Sequence, residues 1–168
     1  MITPDYIRMM AAYNAEMNRR VYAAAAKLTD EERKQDRGLF WKSLHGTLNH
    51  LLWGDRQWMS RFSDWPKNTV PNPQSPTLYD DFDALRAARV EADAKLIAWA
   101  AGVDSAWLAE DQVWYSGAAK RDMAMARQIL LVHFFNHQTH HRGQAHAALT
   151  MCGQDPGDTD LFLLIDKF

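Results

Sequence analysis

The residues best suited to chemistry in this 168-residue chain are five of its seven histidines, which fall within residues 131–146. His133, His137 and His141 recur at every fourth position. In a helix, each four-residue step overshoots a full circle by only about 40° and climbs about 6 Å. His137 and His141 then project from one face, one turn apart. That separation suits two imidazoles on one metal ion, each with a nitrogen about 2.0–2.1 Å from it. The same spacing also fits ordinary polar residues on a helix surface or in a core, and spacing alone leaves both readings open. Gln138 stands where a zincin would carry its general-base glutamate, so the metalloprotease motif is absent. Metal chemistry here would need another base or a metal-bound water.

Helices must position these side chains, and the sequence supplies four. Residues 3–28 carry apolar residues at Ile7, Met10, Met17, Val21, Ala24 and Leu28, with Thr3 as N-cap and Pro4 at the first helical position. Asn14 interrupts this stripe, with Asn18 one turn on. They read either as a hydrogen-bonded pair at a helix contact or, for Asn14, as a neighbour of a ligand. Thr29 to Glu32 matches a capping box for a short turn. A second long helix is expected from residues 40–43 to 62. It carries His50, with Trp53 and Gln57 along the same face, and Gly54, whose cost in a helix a close helix contact would offset. His45 points elsewhere and reads as structural.

Four prolines make residues 63–77 a loop that crosses between helices of one bundle. The third helix is expected over residues 78–101, with an Arg89–Asp93 pair at i,i+4 and Gly102 as its cap. Residues 104–121 read as a short hairpin or irregular excursion. The fourth helix then runs over residues 123–151. Its stripe of Leu130, His133, His137, His141, Gln144 and Ala148 is polar where a simple core helix would be apolar. Unpaired buried imidazoles cost free energy, which a metal or a hydrogen-bond network would offset. Residues 161–165 form a short apolar tail that must pack on this bundle or on a second subunit. The expected fold class is all-α, a four-helix bundle in one domain over residues 1–168.

Composition excludes several classes. The formal net charge of −2 comes without a basic block, which argues against nucleic-acid binding. No apolar run reaches the length of a membrane span. The first residues lack a signal-peptide pattern, so a cytoplasmic location is expected. Cys152 is the only cysteine, so there is no internal disulfide, and nothing basic beside it would lower its pKa. Most of the seven tryptophans are read as core or interface filling.

The pattern Thr47-Leu-Asn-His50-Leu-Leu-Trp-Gly-Asp55-Arg-Gln-Trp58, followed by Asn136-His137-Gln-Thr-His-His141-Arg-Gly-Gln144, resembles the DinB-like (DinB/YfiT) family of bacterial damage-inducible proteins and metalloenzymes. Ala12 to Asn18 and the closing Asp158-Thr-Asp160 resemble it as well. The resemblance covers nearly the whole chain. It implies a four-helix bundle and one divalent transition metal held by His50, His137 and His141. His133 becomes a weaker candidate, in contact with the ligands or a fourth contact, and His140 and His146 point elsewhere. Zinc and nickel head the expected metals, with iron and manganese behind. Relatives with assigned activity use a metal to activate a low-molecular-weight thiol such as bacillithiol or mycothiol, and relatives are often homodimers.

Three neutral ligands would leave positions open for water or a small-molecule substrate, as in catalytic sites. Asn14, Trp53, Gln57 and Gln144 are candidate pocket residues from helix faces alone. The expected function is therefore a metal-dependent transferase or hydrolase that activates a thiol or water. The alternatives are a non-catalytic metal- or ligand-binding stress-response protein and a structural protein with an incidental metal.

Overall fold

Three of the long helices begin at side chains that satisfy their first free N–H groups. The computed structural model describes residues 1–117 and 119–164. Thr3 caps α1 (Pro4–Ala25) by accepting from the Tyr6 amide. Ser43 caps α3 (Leu44–Phe62) through the Gly46 amide, and Asp81 caps α4 (Phe82–Gly102) through the Ala84 amide. Between α1 and α3 lies α2 (Asp30–Lys34), opened by the expected reciprocal Thr29–Glu32 capping box. A further short helix, α5 (Ser105–Ala109), follows α4, and α6 (Arg127–Met151) carries the histidines.

The long helices close a ring. α1 packs on α4 and α6, and α3 packs on α6 and α4. Two apolar cores fill the ring, one toward each end. One holds Tyr22, Leu44, Leu48, Phe82 and Leu149; the other holds Ile7, Met59, Phe62, Leu96, Phe134 and Phe135. Burying each large side chain stabilises the fold by roughly 1.5–3 kcal/mol. Between the two cores lies a polar layer of Asn14, Asn18, Asp55, Arg89, Asp93, Gln138 and Arg142, all buried. The all-α bundle expected from the sequence is present.

The excursion before α6 is a hairpin. β1 (Asp111–Ser116) pairs antiparallel with β2 (Arg121–Ala126), in a register that sets Trp114 opposite Met123. Along β1, Gln112, Trp114 and Ser116 are half-buried and alternate with exposed residues, as one face of a strand must.

Several boundaries differ from the sequence reading. Residues 123–126 belong to β2 and not to the last helix, because their backbone groups pair with β1. α4 starts at Phe82, four residues later than expected. Leu78 caps the preceding 3-10 turn, and Tyr79 is tied to α3: its amide donates to Asn49 Oδ1 at 2.8 Å, and its carbonyl accepts from Asn49 Nδ2 at 3.1 Å. α1 ends at Ala25, short of Leu28. The proline-rich loop contains a 3-10 turn over Asn72–Thr77 that packs on α3. Of the apolar tail, Leu164 is buried while Phe162 and Leu163 are exposed, and Ile165 lies outside the described residues. Among the described residues no helix is long and apolar enough to cross a membrane.

Candidate metal centre

α3 and α6 pack side by side and bring three imidazoles together. His50 from α3 meets His137 and His141 from α6, and one ring nitrogen of each lies within 4.8 Å of the others. The Nε2 atoms of His50 and His137 are 3.2 Å apart. Two donors about 2.0–2.1 Å from one ion, at a tetrahedral angle, are about 3.3 Å apart. That pair stands at ligand spacing, so the three residues could hold an ion, and all three donors are nitrogens of the type that transition metals favour.

The surroundings orient each ring. Ser75 Oγ lies 2.8 Å from His50 Nδ1, and Gln144 Oε1 lies 2.8 Å from His141 Nδ1. Gln144 Oε1 can only accept, so Nδ1 of His141 carries the proton and Nε2 keeps its lone pair. Trp41 stacks on His50 with centroids 4.1 Å apart, and Trp53 stacks at 5.9 Å. Among the described residues, His137 Nδ1 is buried without a hydrogen-bond partner. Its ring rests against the backbone of Gly54, where a Cβ would come within 2.8 Å of His137 Cε1. Gly54 thus permits the close helix contact expected of it.

Electrostatics keep the rings neutral. Burial, then the charges His141 and His137 would carry, pushes the His50 pKa down to about 3. Burial also pushes His137 down to about 4, helped by His141 and opposed by Asp55, and burial lowers His141. At neutral pH each ring is neutral, so a metal need not displace a second proton from any of them.

One side of the triad opens into a cavity of about 1050 Å³. Its floor is the α3 face of His50, Trp53, Gly54, Gln57, Trp58 and Arg61, and α6 adds His133, His137, His140 and His141. The proline-rich loop and the hairpin form the rest of the wall. The loop is pinned by Trp53 Nε1 donating to the Val70 carbonyl at 2.7 Å, and by Asn68 Nδ2 donating to the Trp53 carbonyl at 2.9 Å.

Other candidates land elsewhere. His133 stays outside the triad, its ring 6.1 Å from that of His137 and edge-on to Trp58 at 5.1 Å. His140, expected to point away, lines the cavity beside His141. His146 faces a separate groove between α1 and α6. Trp53 and Gln57 line the cavity as anticipated, whereas Gln144 acts through His141. Asn14 is not on the cavity wall: it is fully buried and accepts from Arg142 in the polar layer, while Asn18 donates to Asp93 at 2.9 Å. His45 is structural, its Nε2 2.8 Å from the Tyr79 carbonyl.

Gln138 points inward and donates to Asp55 at 2.9 Å, so the residue at the missing-glutamate position does not face the cavity at all. Four of the seven tryptophans line the cavity, so the aromatic surplus belongs in good part to the site. The sequence reading missed Ser75 and Trp41, which reach His50 from outside α3. Only the density of tryptophans hinted at Trp41.

No curated protein and no solved structure matches the chain. A family model described as DinB family matches residues 1–167. With a helical bundle in place and three histidines poised to hold an ion, that match over almost the full length means that the chain belongs to the DinB family.

Proposed function

We propose that the protein is a metal-dependent enzyme, a transferase or hydrolase acting on a small molecule through an activated thiol or water. One observation carries the reading: His50, His137 and His141 present their donors at the edge of a large cavity and not inside a closed shell. Structural metal sites close four protein ligands around the ion, whereas catalytic ones keep a position open. Bound there, a divalent ion supplies Lewis acidity, lowering the pKa of a thiol or water and polarising a substrate oxygen.

The chain's own residues do the rest. Ser75, Gln144 and the Trp41 ring hold the imidazoles in place, so little reorganisation is needed on binding. Trp53, Trp58 and Trp114 offer apolar walls that displace water from a bound substrate. His133 lies on the cavity wall beyond the triad and is kept neutral by burial and by Arg61, which leaves it able to take up a proton.

A second reading, a metal-binding protein without catalysis, draws support from the cavity's chemistry. Among the described residues lining it none is acidic, so no carboxylate stands ready as a general base.

The test is elemental analysis of protein purified without a nickel column, as wild type and as His137→Ala. About one zinc or nickel per chain in wild type, lost in the variant, is the expected result. No metal in wild type after dialysis against zinc, nickel and manganese would sink both readings. Thiol-transfer and hydrolysis screens on the loaded protein then separate them: turnover supports the enzyme, and silence across both panels supports the binding protein.

A further inference from the structure

The cavity is a trough with two chemically distinct ends. Along α3 its floor runs from His50 through Trp53, Gly54, Gln57 and Trp58 to Arg61, positions related by spacings of three and four that keep one helix face. From residue 50 to residue 61 the helix climbs about 16 Å. The triad marks one end of this floor and Arg61 the other.

Arg61 is an unusual cation. Its guanidinium lies over Trp58 at 4.3 Å from the ring centroid and 5.6 Å from that of Trp114 on the hairpin. It is half-buried, and among the described residues it has neither a carboxylate nor a hydrogen-bond partner. Every other described residue lining the cavity is uncharged or a histidine. Stacking occupies the flat faces of a guanidinium and leaves its N–H edge to bind a planar oxyanion in a bidentate fashion. A desolvated cation without a counter-ion is costly, and a bound anion would offset that cost.

From this placement we infer that Arg61 anchors a carboxylate at the far end of an elongated ligand. The other end of that ligand carries the donor that reaches the metal position, and its apolar middle lies along the tryptophans. This rests on the proposed open metal site and adds the ligand's shape and charge.

Two probes test it: ω-mercaptooctanoate and the uncharged ω-mercaptooctanol, titrated calorimetrically into zinc-loaded protein. Wild type is expected to prefer the carboxylate by at least about tenfold, the scale of a charge-assisted hydrogen bond. Arg61→Gln is expected to erase that preference while leaving the alcohol's affinity and the zinc content unchanged. Arg61→Lys, which keeps the charge, is expected to retain part of it.

Equal affinities in wild type overturn the inference, as does a preference that survives Arg61→Gln. If Arg61→Gln weakens both probes alike, Arg61 is only a brace between α3 and the hairpin, and the inference falls. His137→Ala separates the two proposals. It is expected to weaken both probes and keep the carboxylate preference. If it leaves both affinities unchanged, the metal reading fails while the role of Arg61 stands.

Discussion

α3 and α6 each contribute to two buried polar clusters, and the two are built on opposite principles. In the polar layer between the apolar cores, Arg89 is paired with two carboxylates. Arg89 Nη1 donates to Asp55 Oδ2 at 2.6 Å, and Arg89 Nη2 forms an ion pair with Asp93 Oδ1 at 2.9 Å. Asn18 and Gln138 complete the two carboxylates, and Arg142 adds a second cation. At the triad nothing is paired in this way. The imidazoles are driven neutral, point their nitrogens at one another and border a cavity. One cluster answers its own charges and faces inward. The other presents neutral nitrogens to an open space, the arrangement that the proposed metal site needs.

The comparison breaks most visibly in the polar layer. Arg89→Met leaves Asp55 and Asp93 buried without their cation, and removing one partner of a buried pair typically costs about 3–5 kcal/mol. Urea unfolding should show a loss of that size, with the triad of the folded fraction still able to take up zinc. An unchanged midpoint would mean that the layer contributes nothing to stability.

The triad should respond in the opposite way. With zinc at a thousand times its dissociation constant, wild type should gain about 4 kcal/mol over chelated protein, because the ion binds the folded state. His137→Ala should lose this gain while its chelated form stays about as stable as chelated wild type. A variant that unfolds without metal would put the histidines with the structural cluster.

Gly54 separates packing from ligation at a single atom. Alanine is the better helix former by about 1 kcal/mol, yet its Cβ would press on the His137 ring. Gly54→Ala should therefore weaken zinc binding, on the scale of about 10–100-fold seen when a ligand's support is disturbed. Competition with a chromophoric chelator measures this. Unaltered affinity would show that the His137 ring is free to shift.

Much of both clusters could be read in the sequence, and what escaped has a physical cause. His137 and His141 announce themselves by a local four-residue spacing, and Arg89–Asp93 by the same rule. His50 lies 87 residues from His137, and only the resemblance joined them. Ser75 and Trp41 come from irregular segments whose course no periodicity fixes. Asp55 looks in sequence like any surface carboxylate, because burial is decided by the neighbours that surround it. Met123 to Ala126 are reasonable helix formers, but pairing across the hairpin overrides local preference there.

Acid should distinguish the clusters by the sign of their response. An unfolded histidine titrates near about 6.5. His137 and His50 titrate in the fold near about 4 and about 3, held down first by burial. Below about 6.5 the unfolded chain therefore binds more protons than the native one. The stability these neutral rings contribute is complete above that pH and is lost as pH falls toward 4 and 3. Asp93 runs the other way: burial raises its pKa, so around its own titration the native state binds more protons than the unfolded chain and gains stability as pH falls. Chelated wild type should thus have a lower urea midpoint at pH 5 than at pH 7, where only the histidine contribution is falling. Replacing His137 by alanine should shrink that difference, with His50 and His141 keeping the rest, and Asp93→Asn, which removes the opposing contribution, should keep or widen it. A slope that follows Asp93 and ignores His137 would assign the acid response to the polar layer, and would mean that the triad is not held neutral in the fold.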